Sequence, residues 1–166
     1  QFLDYAQGNA YAVMLTFKFI SEYQMSPGRE MVERIEQAFV SYLENNVVNQ
    51  WDADIQQFLM KVSVVDEFTG ALAQEITGED NVDKLLERSM NLGNFMVCSQ
   101  GVYRLREVLI MALRNRAKKK LGTRLLHNCM YNAGRYYEQQ EDIEKAFEMY
   151  ERSGDSESIR SLLIRN

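Results

Sequence analysis

The sequence predicts a mostly α-helical protein built around one small β-hairpin. Two observations carry this. Apolar residues recur at three- and four-residue steps through almost the whole chain, which is the period of amphipathic helices. One stretch, residues 66 to 121, breaks that pattern with two short apolar runs around Ser99-Gln100-Gly101, the composition of a tight hairpin. A single proline leaves little room for disordered linkers.

Residues 2 to 22 read as a helical segment interrupted at Gly8-Asn9, with Tyr11, Leu15 and Phe19 at a four-residue step. Pro27-Gly28 marks a loop. Val32, Ile35, Phe39, Tyr42 and Leu43 then lie on one face of a second helix that ends near Asn45-Asn46. Ile55, Phe58, Leu59 and Val62 give a third helix over residues 51 to 62, with Asp52 placed as an N-cap or first-turn carboxylate.

Asp66-Glu67-Phe68-Thr69-Gly70 leads into a short helix carrying Leu72 and Ile76, and Gly78 separates it from another that carries Val82, Leu85, Leu86 and Met90. Leu92-Gly93-Asn94 ends that helix, since Gly and Asn favour the left-handed turn after a helix. Phe95 to Cys98 and Val102 to Arg104 form the hairpin, and Leu105, Leu109, Ala112, Leu113, Ala117 and Leu121 stripe a longer helix. Helix, helix, hairpin, helix is the order of a winged-helix domain, the hairpin being the wing.

Lys118-Lys119-Lys120 closes the longer helix, where positive charge is favoured by the dipole. Thr123 is placed to cap the next helix, with Leu126, Cys129, Met130, Ala133, Tyr136 and Tyr137 on its face. Ile143, Ala146, Phe147 and Tyr150 mark its partner. Gly154-Asp155 stops that one and caps a last helix with Ile159, Leu162 and Leu163. Small residues facing aromatics across two short helices resemble the start of a TPR-like array. The expected organisation is thus a helical segment over 1–50, a winged helix over 51–121 and the start of a helical-repeat region over 122–166. The chain begins and ends inside helical patterns, so we expect a piece of a longer protein. In such an array each unit covers its neighbour. Tyr150, Ile159, Leu162 and Leu163 are therefore expected to form a partly exposed partner-binding face.

The chemistry-bearing patterns are sparse. There is no GxxxxGK[ST] loop, no GxSxG elbow and no HExxH. His127 is the single histidine and has no ligand-spaced neighbours, so it reads as a surface or core-edge residue. Cys98 and Cys129 make no disulfide framework and read as small core residues of a cytosolic protein. No apolar run approaches membrane-spanning length. An active site and a metal are not expected in this chain. Its net charge of −5 argues against a dedicated nucleic-acid binder. The helix that would enter a major groove carries Glu79, Asp80, Asp83 and Glu87 against Lys84 and Arg88, and the wing tip has no cation. Direct DNA contact by this chain is not expected.

The run from Asp54 to Gly78, with Gln57-Phe58-Leu59, Ser63-Val64-Val65-Asp66 and Phe68-Thr69-Gly70, resembles the segment that follows the ATPase core in large LuxR-type, MalT-like regulators. The similarity continues through Asp83 to Arg88, Leu92 to Val97, Tyr103-Arg104 and Leu113-Arg114-Asn115-Arg116. It runs on to Tyr136-Tyr137-Glu138, Ile143-Glu144-Lys145-Ala146 and Gly154-Asp155, while Gly8-Asn9-Ala10-Tyr11-Ala12 resembles a glycine-led motif of the nucleotide-binding module. The resemblance implies an upstream ATPase domain binding ATP and ADP, downstream helical repeats and a C-terminal helix-turn-helix. It further implies a winged helix that links nucleotide state to homo-oligomerisation and transcription activation. It also implies that the second wing strand leads into a Tyr-Arg-Tyr-His-type run whose His faces bound ADP. Here that run is Tyr103-Arg104-Leu105-Arg106, so Arg106 takes the His position and is the candidate nucleotide contact. A rival of another class is a free-standing adaptor that binds a protein through its terminal helices. A third is a winged-helix DNA reader.

Overall fold

The computed structural model describes residues 29–165. The predicted segment over residues 2–22, the Gly8-Asn9 motif and the Pro27-Gly28 loop lie outside the described residues. In chain order the elements are α1 (Arg29–Tyr42), a π turn (Leu43–Val47), a 3₁₀ turn (Val48–Gln50) and α2 (Ala53–Val62). Then come β1 (Glu67–Thr69), α3 (Gly70–Thr77), α4 (Val82–Met90), β2 (Met96–Ser99), β3 (Val102–Leu105) and α5 (Glu107–Lys120). The chain continues with α6 (Thr123–Gln139), α7 (Ile143–Ser153) and α8 (Ser156–Arg165). The fold is the expected mostly helical winged helix with further helices before and after it.

The periodic positions of α2 all point inward: Ile55, Phe58, Leu59 and Val62 are fully buried. Asp52 does occupy the N-cap position, but its side chain makes no cap bond. It accepts instead from Arg88 at 2.6 Å, because a guanidinium held nearby outcompetes a neutral amide. Thr69 caps α3 by accepting from the Leu72 amide at 3.2 Å, and Gly78, at φ 69°, ends that helix in the left-handed conformation. In α4, Val82, Leu85 and Leu86 are buried as expected, but Met90 is exposed. Ser89 takes the inward position and bonds back to the Leu85 carbonyl at 2.7 Å.

The hairpin is a two-residue turn with Gln100 at φ 51° and Gly101 at φ 78°, the left-handed pair that suits strand twist. The sheet has a third strand that residue pattern alone did not indicate. β1 is three residues long, pairs antiparallel with β3 and gives the order β1-β3-β2. Its register sets Glu67 opposite Arg104 and Phe68 opposite Tyr103. The Phe68 and Tyr103 rings stack at 5.9 Å. Cys98, expected in the core, is exposed. In β2 only Met96 is buried. Cys129 is in the core as expected, and burial pushes its thiol up to about 11.

α5 is the central helix. Leu109, Ile110, Leu113 and Ala117 join the winged-helix core, while Val108 and Ala112 pack against Phe39, Val40 and Leu43. Two buried sides explain why its amphipathic pattern is diffuse in the sequence.

The winged-helix core runs on past α5 without a break. Leu126, Cys129 and Ala133 of α6 and Met149 of α7 belong to the same buried cluster as Phe58 and Phe68. α6 and α7 pack antiparallel, with Lys145 over the Tyr137 ring at 5.4 Å and Tyr150 against Gly134. Phe147, expected inward, is exposed, and Met149 fills the core in its place. Thr123 starts α6 but does not cap it, since the N-cap residue is Gly122.

Asp155 caps α8 as expected, accepting from the amides of Glu157 and Ser158 at 3.1 and 3.2 Å and from the Ser158 hydroxyl at 2.7 Å. The Ser158 hydroxyl bond, ahead of the amide bonds, holds its pKa below the usual carboxylate value. A depressed folded value contributes stability above the unfolded pKa and loses it as pH falls through the folded one. Asp155→Ala is therefore expected to cost about 1 kcal/mol at neutral pH. Chemical denaturation at neutral pH and again at about pH 2 should show that difference shrink in acid.

Candidate functional site

On the wing side an open cleft of about 590 Å³ lies between β3, the start of α5 and Asp66. Strand alternation turns Arg104 outward, away from the stacked Tyr103. Its guanidinium pairs with Glu67 on the neighbouring strand. Arg106 is the N-cap residue of α5. Its amide donates to the Phe95 carbonyl at 2.9 Å, and its carbonyl accepts from Leu109 and Ile110 at 2.9 and 3.0 Å. Its half-buried side chain donates through Nε to the Asn94 carbonyl and lines the cleft.

Two helical turns on, Arg114 reaches the same cleft. Arg106, Ile110 and Arg114 are four residues apart and so share a helix face. Arg114 donates through Nε to the Ser63 carbonyl at 2.7 Å and through Nη2 to Asp66 at 2.8 Å. Three guanidiniums thus converge, with Val97, Leu105 and Met111 forming the apolar wall and Asp66 and Glu107 the opposing charge.

This arrangement suits an anion. Surface ion pairs such as Arg104–Glu67 and Arg114–Asp66 are worth about 0–1 kcal/mol. An incoming phosphate or carboxylate can therefore exchange for those partners at little cost, and a guanidinium offers it a bidentate fork. The resemblance singled out Arg106, and the sequence reading missed Arg104, Arg114 and Asp66 as its neighbours. The four-residue spacing of Arg106, Ile110 and Arg114 was a usable signal; the approach of Asp66 depends on the tertiary fold.

The recognition-helix position is differently equipped. α4 presents Asp83, Lys84 and Glu87 to solvent. Its arginine, Arg88, is held by Asp52 at 2.6 Å and by both oxygens of Asp54. The Arg88 bond keeps the Asp54 carboxyl below its usual range. A cation engaged by two carboxylates is poorly placed to meet DNA phosphates.

The expected partner-binding face divides. Tyr150 and Leu162 are buried within the chain, in a small cluster with Ala146, so they cannot be the exposed face predicted for them. The Tyr150 hydroxyl donates to Glu138 at 2.6 Å. Burial first, and that bond second, raise its pKa. Ile159 is half-buried against the same cluster, and Leu163 is exposed beside exposed Ile164. α8 covers what residue pattern alone left open, because Leu162 packs with Ala146 and Tyr150 of α7. His127 is exposed, as expected.

Among the described residues no group of His, Cys, Asp and Glu is arranged to hold a metal ion, and no helix is long and apolar enough to cross a membrane.

A compact helix-helix-wing core with a third strand pairing the wing defines a winged-helix domain. The chain matches the MalT winged helix domain over residues 43–125, half its length, and belongs to that family. A search of curated proteins gave no match.

Proposed function

We propose that this chain is the regulatory relay segment of an ATP-dependent, LuxR-type regulator, coupling nucleotide state in an upstream ATPase domain to oligomerisation and transcription activation. The observation that carries this reading is the family membership of the winged helix, joined to a recognition-position helix whose arginine is tied to two carboxylates. The winged helix acts as a lever and leaves DNA reading to another domain. The segment has no activity of its own and works in the cytoplasm. Arg106, with Arg104 and Arg114 beside it, contacts the phosphates of ADP bound upstream. Asp66 and Glu67 hold the neighbouring guanidiniums when the nucleotide is gone. The α6–α7 pair begins a TPR-like array, and Leu163 meets the helices that follow.

The rival DNA reader is tested by titrating the chain into a randomised duplex library at physiological salt. The relay reading expects no sequence-selective binding. Submicromolar, selective binding weakened by Lys84→Ala and Arg88→Ala would overturn it.

A further inference from the structure

The charges of this chain are segregated. Residues 108–137, most of α5 and α6, hold seven of its 19 Lys and Arg residues and none of its 24 Asp and Glu residues. The rest of the chain sets 12 cations against those 24. Part of the basic stretch is committed to the fold. Arg114 pairs with Asp66 at 2.8 Å, Lys119 pairs with Glu44 at 2.6 Å, and Arg116 donates to Asn49 Oδ1 at 2.5 Å and Gln56 Oε1 at 2.9 Å. Lys118, Lys120 and Arg124 are exposed and enter no ion pair among the described residues. They flank one corner, the Leu121-Gly122 link between α5 and α6.

Helix stability accounts for only part of this corner. Lys118 and Lys120 lie in the last turn of α5, where the dipole favours positive charge. Arg124 lies in the first turn of α6, where the dipole disfavours it. That turn has no acidic residue to offset the guanidinium. The cations at the corner are therefore neither balanced by the fold nor all explained by it.

The surroundings select the occupant. Nucleic-acid affinity accumulates over roughly 6–10 phosphates, and three free cations supply few of those contacts. A duplex or an anionic bilayer would also extend past the corner onto surface where acidic residues outnumber basic ones. A protein segment brings its carboxylates to the corner alone. Leu121 and Leu125 are half-buried beside the cations and offer an apolar seat that a phosphate backbone would leave empty.

We propose that the α5–α6 corner docks a short acidic segment of a partner protein, its carboxylates on Lys118, Lys120 and Arg124 and an apolar side chain on Leu121 and Leu125. This surface stands whether or not the winged helix senses nucleotide. The test is fluorescence anisotropy of a labelled synthetic peptide of repeated Glu-Glu-Leu triplets, titrated with the 166-residue chain. Lys118→Gln with Arg124→Gln is expected to weaken binding about tenfold, the loss of two exposed ion pairs. Lys84→Gln with Arg160→Gln removes two exposed cations elsewhere, with the same change in net charge, and is expected to weaken it about twofold or less. Replacing the peptide's leucines by serine should weaken binding to the unaltered chain. If the corner pair does not fold, Lys120→Gln compared with Lys84→Gln is held to the same order. No binding of the peptide, or equal weakening by the two pairs, would overturn the docking surface. Tighter binding of duplex DNA or of phosphatidylserine vesicles than of the peptide, lost with Lys118 and Arg124, would overturn it too.

Discussion

Met149→Ala is expected to destabilise the chain by about 3 kcal/mol, as truncation of a buried methionine typically does. The informative part is where the loss is felt. Met149 lies on α7, yet its neighbours belong to the winged-helix core. Trp51, the single tryptophan, borders that core from the start of α2, with its ring 6.3 Å from Phe95. If the two parts share one core, Trp51 fluorescence and far-ultraviolet circular dichroism should follow a single transition in urea. Met149→Ala should then move both signals together by the same free energy. A Trp51 transition that stays in place while helical signal is lost earlier would show two independent units.

Gly134→Ala is expected to cost about 2 kcal/mol through overpacking. That outcome runs against local preference, because alanine is better than glycine in a helix by about 1 kcal/mol. A Cβ at Gly134 would sit 2.7 and 2.8 Å from ring carbons of Tyr150. The ring has nowhere to go: it is fully buried, packs on Tyr131 at 5.9 Å and is tethered to Glu138 through its hydroxyl. Thermal melts of Gly134→Ala, Tyr150→Leu and the double variant check this. The double variant should lose clearly less than the sum of the singles, since the smaller side chain makes room. A stabilised Gly134→Ala would refute the close contact.

Helices were legible because their signal is repeated. Ile55, Phe58, Leu59 and Val62 each report the same buried face, and Gly154-Asp155 carries a stop and a cap in two residues. The wing was legible from one turn dipeptide between apolar runs. β1 was not, since three residues give no period, and only pairing with β3 defines them as a strand. Cys98 and Phe147 misled for a related reason. Both sit in apolar local context, and whether a partner surface extends that far is decided by distant elements. Tyr150 and Leu162 misled in the opposite direction, because α8 folds back over α7. For the cleft, Arg106 came from a resemblance to known regulators. Its neighbours Arg104 and Arg114 reach it through strand register and helix phase, which become visible only once the strands are paired.

The central claim is that this winged helix senses nucleotide. It is tested most directly by ADP dissociation from this chain joined to the proposed upstream ATPase domain, followed with a fluorescent ADP, for wild type, Arg106→Ala and Arg106→Gln. Glutamine can still donate to the Asn94 carbonyl, so it separates loss of charge from loosening of the wing. A charge-assisted hydrogen bond contributes about 1.5–3 kcal/mol, so both variants are expected to release ADP about 10- to 100-fold faster and to raise basal transcription. ADP release unchanged in both would contradict the claim and leave Arg106 as a helix-start residue bonded to the wing.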